Sequence, residues 1–499
     1  MANSADIDKL FKFSRDLLDS GETRRAVKVG RRAAALAKNE IATATNLGGI
    51  LIDAGGDLND GKLIREGVEL LKSVENYASE SNTKYFHHNL GTGYLALGQR
   101  ERGVGPGTRP SLSSAVNHFD EALLYGDDEH TRTNLASTFI NQGRFIEALD
   151  EIETVLARVP EHHVALAKRG YALMQVHSWM WKHQDLLNCA LLDREMASEL
   201  AQNDPLYYEG YKKILSELRP KAEHYEPKEK TPSKMEKWIW DNRLALNPCP
   251  TCRVESPEAF DIYAMYAHLE GGNRRPSTNE VIDILNSIHA SFSSARWLLM
   301  SGVRVVDTRL DGQHVFLDST EFVVNDLNAH MIKTAFISFY STLDKIAYAM
   351  NSYFHLKHNT DKVDFHNVWM NEKSFGVEKD VDRKNMHQSI KRISTPALSA
   401  LYHLAQSMKL GLGRYRQLRK IRNNLSHKVV VTTTKKIKSL YYESMKLDEL
   451  ILTTIEIGRI SRAAILYFGA TLWRAEFERL KRFKRLGMNV VHSHKHVIR

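Results

Sequence analysis

Between Glu129 and His162 the chain carries a 34-residue pattern that fits a pair of packed helices. Leu135-Ala136 sets a large residue beside a small one, as a close helix crossing requires. Phe139 follows one turn later, Gly143 stops the first helix, Ala148, Ile152 and Val155 line the second, and Pro160 closes the unit. Small side chains let two backbones approach, and Gly and Pro supply the stops. The skeleton recurs at Leu90-Gly91, Tyr94, Gly98, Ala115, Phe119 and Ala122, with a Gly/Pro-rich insertion between Gln99 and Pro110. Leu47-Gly48, Leu51 and Gly55 repeat it again, and Leu17, Gly21, Ala26, Gly30 and Ala33 form a weaker first copy. Beyond Pro160, Gly170 and Leu173 keep the phase, whereas Trp179, Trp181 and their polar neighbours break the second-helix pattern. One such hairpin cannot bury its apolar face alone, so the repetition predicts a stacked array.

These copies resemble the tetratricopeptide (TPR) repeat family from the N-terminus to about residue 210. The resemblance implies a curved solenoid whose concave face takes a peptide or protein partner, or alternatively a purely architectural spacer.

The segment after the repeats reads differently. Arg219 to Lys237 holds three prolines among dense charge and is expected to be a linker. Cys249 and Cys252 form one CxxC with no second pair, and Cys189 lies far upstream. A zinc site is therefore not expected, and neither is a disulfide framework. So few cysteines fit a reducing compartment. MANSADIDKLFKF carries Asp6, Asp8 and Lys9 and no apolar core, unlike a secretory signal. The most apolar window, Leu447 to Trp473, contains Glu456, Arg459 and Arg462, so it reads as a buried helix rather than a membrane span. The expectation is a cytoplasmic protein with no membrane partner.

From Asn279 onward the pattern is helical without repeats. Ile282, Leu285, Ile288, Phe292, Ala295 and Leu299 share one face, as do Ile332, Phe336, Phe339, Leu343, Ile346 and Met350. Val303 to Leu317, centred on Asp311-Gly312, suggests a short hairpin. Thr395-Pro396 opens a third helix, and Arg414 to Ser426 and Leu447 to Arg482 supply two more. The prediction is an all-α protein: an N-terminal helical solenoid followed by a bundle of four or five helices.

One compact polar constellation lies in that bundle, at Arg419-Lys420-Ile421-Arg422-Asn423-Asn424-Leu425-Ser426-His427. Leu418, Ile421 and Leu425 are expected to face the core, which leaves Arg422 and His427 on or near the exposed side. Arg422 offers a planar cation for a phosphate, and His427 a group whose type titrates near neutral pH. Those are the parts for metal-free RNA cleavage, in which a 2′-hydroxyl attacks the adjacent phosphate. Asn423 is assigned to phosphate positioning, and Arg419 and Lys420 to holding the RNA backbone. The opposing reading is a solvated basic helix end whose histidine suits the helix dipole. The net charge of +9 and the run RLKRFKR from Arg479 fit an anionic partner or, equally, a solvated basic face.

The Arg-Asn-x-x-x-His order, placed after a long helix that reads Ser341-Thr342-Leu343-Asp344-Lys345-Ile346-Ala347, resembles the HEPN superfamily over residues 278–485. That resemblance implies a four-helix core, a homodimer, and a composite active site to which both subunits contribute. It implies metal-independent endoribonuclease activity of the toxin or anti-phage defence type, without a cofactor. On it Arg422, Asn423 and His427 are the catalytic positions, and Asp344 supports Arg422. Some members carry a tyrosine two residues after the His, where this chain has Val429. The domains are then 1–218 (TPR-like repeats), 219–277 (linker and connecting segment), 278–485 (HEPN-like bundle) and 486–499 (basic tail). RNA and a protein or peptide on the repeats are the expected partners. The alternatives are a non-catalytic scaffold that dimerises through its bundle, and an RNA- or nucleotide-binding protein that does not cleave.

Overall fold

A computed structural model of the chain describes residues 4–37, 40–75, 83–103, 105–218, 232–248, 261, 277–305, 323–324, 326–375, 383–435, 437–440 and 442–485. Cys249, Cys252, the Asp311-Gly312 hairpin and the tail 486–499 lie outside these residues.

The repeats fold as successive antiparallel helices: α1 (Ser4–Asp19), α2 (Thr23–Leu36), α3 (Glu40–Asp57), α4 (Gly61–Ser73), α5 (Thr83–Arg100) and α6 (Pro110–Tyr125). They continue through α7 (Glu129–Gln142), α8 (Phe145–Leu156), α9 (His163–Trp179), α10 (Gln184–Leu200) and α11 (Pro205–Leu218). The best repeat shows why. Asp128 accepts a hydrogen bond from the Thr131 backbone N–H at 2.8 Å and so starts α7, while Gly143 ends it with φ of +80°. Leu135, Ala136, Phe139, Ala148 and Ile152 are fully buried between α7 and α8. The expected break at Trp179 and Trp181 is only a turn. Trp181 stacks on His183 with ring centroids 4.5 Å apart, and α10 resumes the pairing at once.

Short α12 (Lys234–Asp241) leads into the bundle, which comprises α13 (Ser277–Gly302), α14 (Leu327–Tyr353), α16 (Pro396–Leu410), α17 (Gly413–His427) and α18 (Leu447–Arg485), with the single-turn α15 (Gln388–Lys391) before α16. Thr395 caps α16 through the Leu398 N–H, as its sequence predicts. Strands β1 (Val430–Thr433) and β2 (Glu443–Lys446) pair in parallel between α17 and α18. The centre of α18 is buried. Arg462 donates to the backbone carbonyls of Ala245 and Asn247, both at 2.7 Å, so the segment after α12 is built into the core. No helix among the described residues is long and apolar enough to cross a membrane.

Repeats and bundle share one hydrophobic core that runs from Leu95 to Leu472. Their junction is polar and buried. Arg144, fully buried at the start of α8, donates to Glu147, to the Ser407 hydroxyl at 2.9 Å and to the Tyr415 hydroxyl. Tyr467 accepts from the Ile146 N–H at 3.1 Å and donates to Glu147 at 3.3 Å. At the start of α17, Leu412 N–H donates to Asn117 and Gly413 N–H to Glu121. Arg414 meets Asp120 at 2.9 Å, Glu151 at 2.6 Å and Glu456 at 3.0 Å. Two glycines make the fit possible: a Cβ on Gly143 would stand 2.6 Å from the Pro396 carbonyl oxygen, and one on Gly413 2.6 Å from the Asp120 backbone.

Candidate active site

Helix α17 is seated by Leu418 and Ile421, which are buried, and by Leu425, which packs against the core at its edge. That registration turns Arg422 toward α14. Its guanidinium lies over the Tyr340 ring, 5.8 Å from the centroid, and donates to Asn423 Oδ1 at 3.3 Å. Tyr340, Asp344, Arg419, Arg422 and Asn423 line one cleft of about 220 Å³, together with Asp364, His366 and Lys409. The two walls are α14 and α17. The rim comes from the end of α16 and from the loop that follows α14.

The expected residues divide. Arg422, Asn423, Asp344 and Arg419 meet in the cleft, whereas Lys420 and His427 do not line it. Both of those are exposed, and His427 is the last residue of α17. Five residues along an α-helix rotate the side chain by about 140° and raise it by about 7.5 Å. Arg422 and His427 therefore leave the helix in different directions, and of the two only Arg422 lines the cleft.

Arg419 has a second employment. Its guanidinium donates to the carbonyls of Met408 at 3.1 Å and Gly411 at 2.7 Å, which caps the end of α16. Asp344 accepts the Phe365 backbone N–H at 3.2 Å and so ties the loop to α14. Burial pushes its carboxyl up, and Asp364 does the same. The Phe365 N–H and the Arg422 charge work in the other direction. Arg422 thus faces a carboxylate whose ionised form it favours.

The sequence pattern did not single out Tyr340, Asp364, His366 or Lys409. Tyr340 had a signal: it lies four residues before Asp344 and so shares its helix face. Asp364 had another. An Asp ahead of His366 and Asn367 accepts both of their backbone N–H groups, at 2.8 and 2.6 Å, and this turn places His366.

Residues 273–473 match the family model described as the LA2681-like HEPN domain. This segment is a HEPN domain. The match spans α14, α16 and α17, and with them every residue of the cleft. No curated protein matches the chain. Among solved structures, a crystal structure of nearly identical TPR-like repeats from a putative kinesin light chain of Podosopora anserina is similar at 18% identity. It covers 40% of this chain and 99% of that one, with a TM-score of 0.30. At that score the likeness carries no weight, and the TPR-like character of the repeats rests on the helix pairs themselves. The HEPN domain therefore presents its Arg-Asn-x-x-x-His motif at the edge of a cationic cleft and is joined through a buried junction to TPR-like repeats.

Proposed function

We propose that this protein is a metal-independent endoribonuclease of the toxin or anti-phage defence type, acting in the cytoplasm as a homodimer. Its TPR-like repeats would dock a protein or peptide partner. The observation that carries this reading is the cleft itself. It sets a half-exposed Arg422 beside Asn423, with Asp344 opposite, in the segment that matches the HEPN family.

In this reading Arg422 stabilises the charge that develops on the phosphate, and Asn423 orients a non-bridging oxygen. His427 supplies acid–base chemistry from a second copy, because its own chain carries it away from the cleft. Lys420, exposed on the same helix, holds the RNA backbone beyond the cleft. Arg419 contributes positive potential from its seat on the end of α16. A competing reading is RNA or nucleotide binding without cleavage. Arg422, Arg419 and Lys409 gather positive charge in one cleft whether or not a second copy delivers His427.

The test incubates the purified protein with total RNA and transfer RNA in EDTA, beside Arg422→Ala and His427→Ala. Cleavage by the parent alone, leaving 2′,3′-cyclic phosphate ends, supports the ribonuclease. RNA retained on the protein but never cut supports the competing reading. Light scattering should give twice the 57.0 kDa chain mass, and a strict monomer would remove the composite site.

A further inference from the structure

We infer that Lys168 and Arg194 form an anion seat on the TPR-like repeats, and that the docked partner is an acidic peptide whose carboxylate enters it. The inference rests on the reading above that the repeats dock a protein or peptide, and it names the chemistry of that partner.

Lys168 stands on α9 and is half-buried. Its Nζ donates to the Ser137 hydroxyl of α7 at 2.6 Å, which joins the first helices of two successive hairpins. Arg194 comes from α10. A Cβ on Gly170 would stand 3.1 Å from the Arg194 Cγ, so the arginine side chain passes directly against α9. Its guanidinium ends 6.0 Å from the centroid of the Tyr211 ring on α11. Four helices thus bring two cations to one place.

Neither cation is neutralised. Other arginines of the array are matched to carboxylates: Arg132 to Asp127 and Glu151, Arg144 to Glu147, and Arg169 to Glu153 and Asp193. Among the described residues no carboxylate pairs with Lys168 or Arg194. Asp193, the chain neighbour of Arg194, is held by Arg169 at 2.8 and 2.6 Å. Arg194 is 4% exposed, and its Nε has no hydrogen-bond partner. A desolvated charge without a counter-charge is costly, and here two of one sign share a niche. Burial, with the Arg194 charge adding to it, pushes the Lys168 ammonium down to about 8. An incoming carboxylate supplies the missing charge and accepts from the ammonium in a charge-assisted hydrogen bond.

The surroundings suit a peptide. Tyr171, one turn along α9 from Lys168, is 38% exposed. Tyr207 is also exposed and lies against Tyr211, with centroids 5.9 Å apart. Exposed tyrosines beside arginine are the composition of protein-binding surfaces. RNA fits less well, because a phosphate backbone is held by cations spread along a path, whereas these two sit together between helices.

The experiment measures fluorescence anisotropy of labelled ligands with the full-length protein. A short glutamate-rich peptide is compared with its glutamine and lysine counterparts and with a single-stranded RNA of equal length. The variants are Lys168→Met, Arg194→Gln and Lys62→Met, the last removing an equal charge from an exposed site on α4. Thermal melts check that each is folded. We expect the glutamate peptide to bind in preference to the other ligands. Lys168→Met should weaken it at least about tenfold, and Lys62→Met by no more than about twofold. Should Arg194→Gln fail to fold, Lys168→Met decides, because its side chain is half-buried and makes one hydrogen bond to a hydroxyl. A folded Lys168→Met that binds as the parent does overturns the inference, as does RNA bound as tightly as the glutamate peptide. Binding of the glutamine or lysine peptide, but not of the glutamate one, overturns the acidic partner while leaving the docking reading in place. If no peptide binds, both fall.

Discussion

The Glu121 carboxylate, on a repeat helix, accepts the backbone N–H of Gly413 at 2.9 Å and pairs with Arg416 at 2.8 Å. Gly413 is the first residue of the helix that carries Arg422. A side chain of the TPR-like array therefore supplies the N-terminal cap of the HEPN motif helix, an acidic group where the helix dipole favours one. The junction that sets the motif helix is built by both modules.

Replacing Glu121 with Ala should leave the Gly413 N–H without its acceptor and Arg416 without its partner. The expected cost is about 1–3 kcal/mol, read as a lower denaturation midpoint. Arg416 is half-exposed, so most of the loss should come from the buried cap. A variant as stable as the parent would mean that water replaces the cap at no cost.

Arg144 makes a stronger prediction. It is fully buried, holds Glu147, and bonds Ser407 and Tyr415 across the junction. Arg144→Ala would leave the Glu147 carboxylate with the Tyr467 hydroxyl but without its counter-charge, and should cost about 3–5 kcal/mol. The double variant Arg144→Met with Glu147→Gln removes both charges and should recover part of that loss. Equal instability of single and double variants in urea melts would show that packing, not charge, dominates.

Asp120 should give the junction a pH dependence. Its carboxyl is pushed up to about 7, first by burial and then by Glu151 and Glu456, with Arg414 opposing. A carboxyl raised in the folded state binds its proton more tightly there than in the unfolded chain. Its contribution is thus fully present below the unfolded value of 3.8 and is lost as pH rises through about 7. The loss should be on the order of 2–4 kcal/mol. Denaturation midpoints measured from about pH 4 to pH 8 should fall less steeply in Asp120→Asn than in the parent. Parallel curves would place the dependence elsewhere.

Arg422→Lys keeps the charge but not the planar fork. Stacked over Tyr340 and bonded to Asn423, the guanidinium uses both its face and its edge. Cleavage by Arg422→Lys should fall at least about tenfold, with thermal stability unchanged to within about 0.5 kcal/mol because the side chain is partly exposed. Full activity in the lysine variant would show that charge alone is enough.

Much of this architecture is legible in local residues. The Leu135-Ala136, Gly143 and Pro160 pattern specifies a helical hairpin by sterics alone, and the steps from Ile332 to Met350 specify a bundle helix by periodicity. Thr395-Pro396 marks a helix start through capping chemistry. These signals act within a few residues, so no tertiary information is needed to read them. The motif helix and the burial of Leu418 and Ile421 follow in the same way.

What only the tertiary structure decided depends on residues far apart in the chain. Arg144 and Tyr415 are 271 positions apart, and no local rule pairs them. The same holds for the cleft. Arg422 could be marked from its motif, but His366 enters its surroundings through a loop whose place is set by Asp344 and Trp369. The sequence determined the helices, their faces and the motif, because those follow from spacing along one chain. Packing determined which imidazole shares a cleft with Arg422, and that the repeats cap the motif helix, because both follow from how separate faces are buried together.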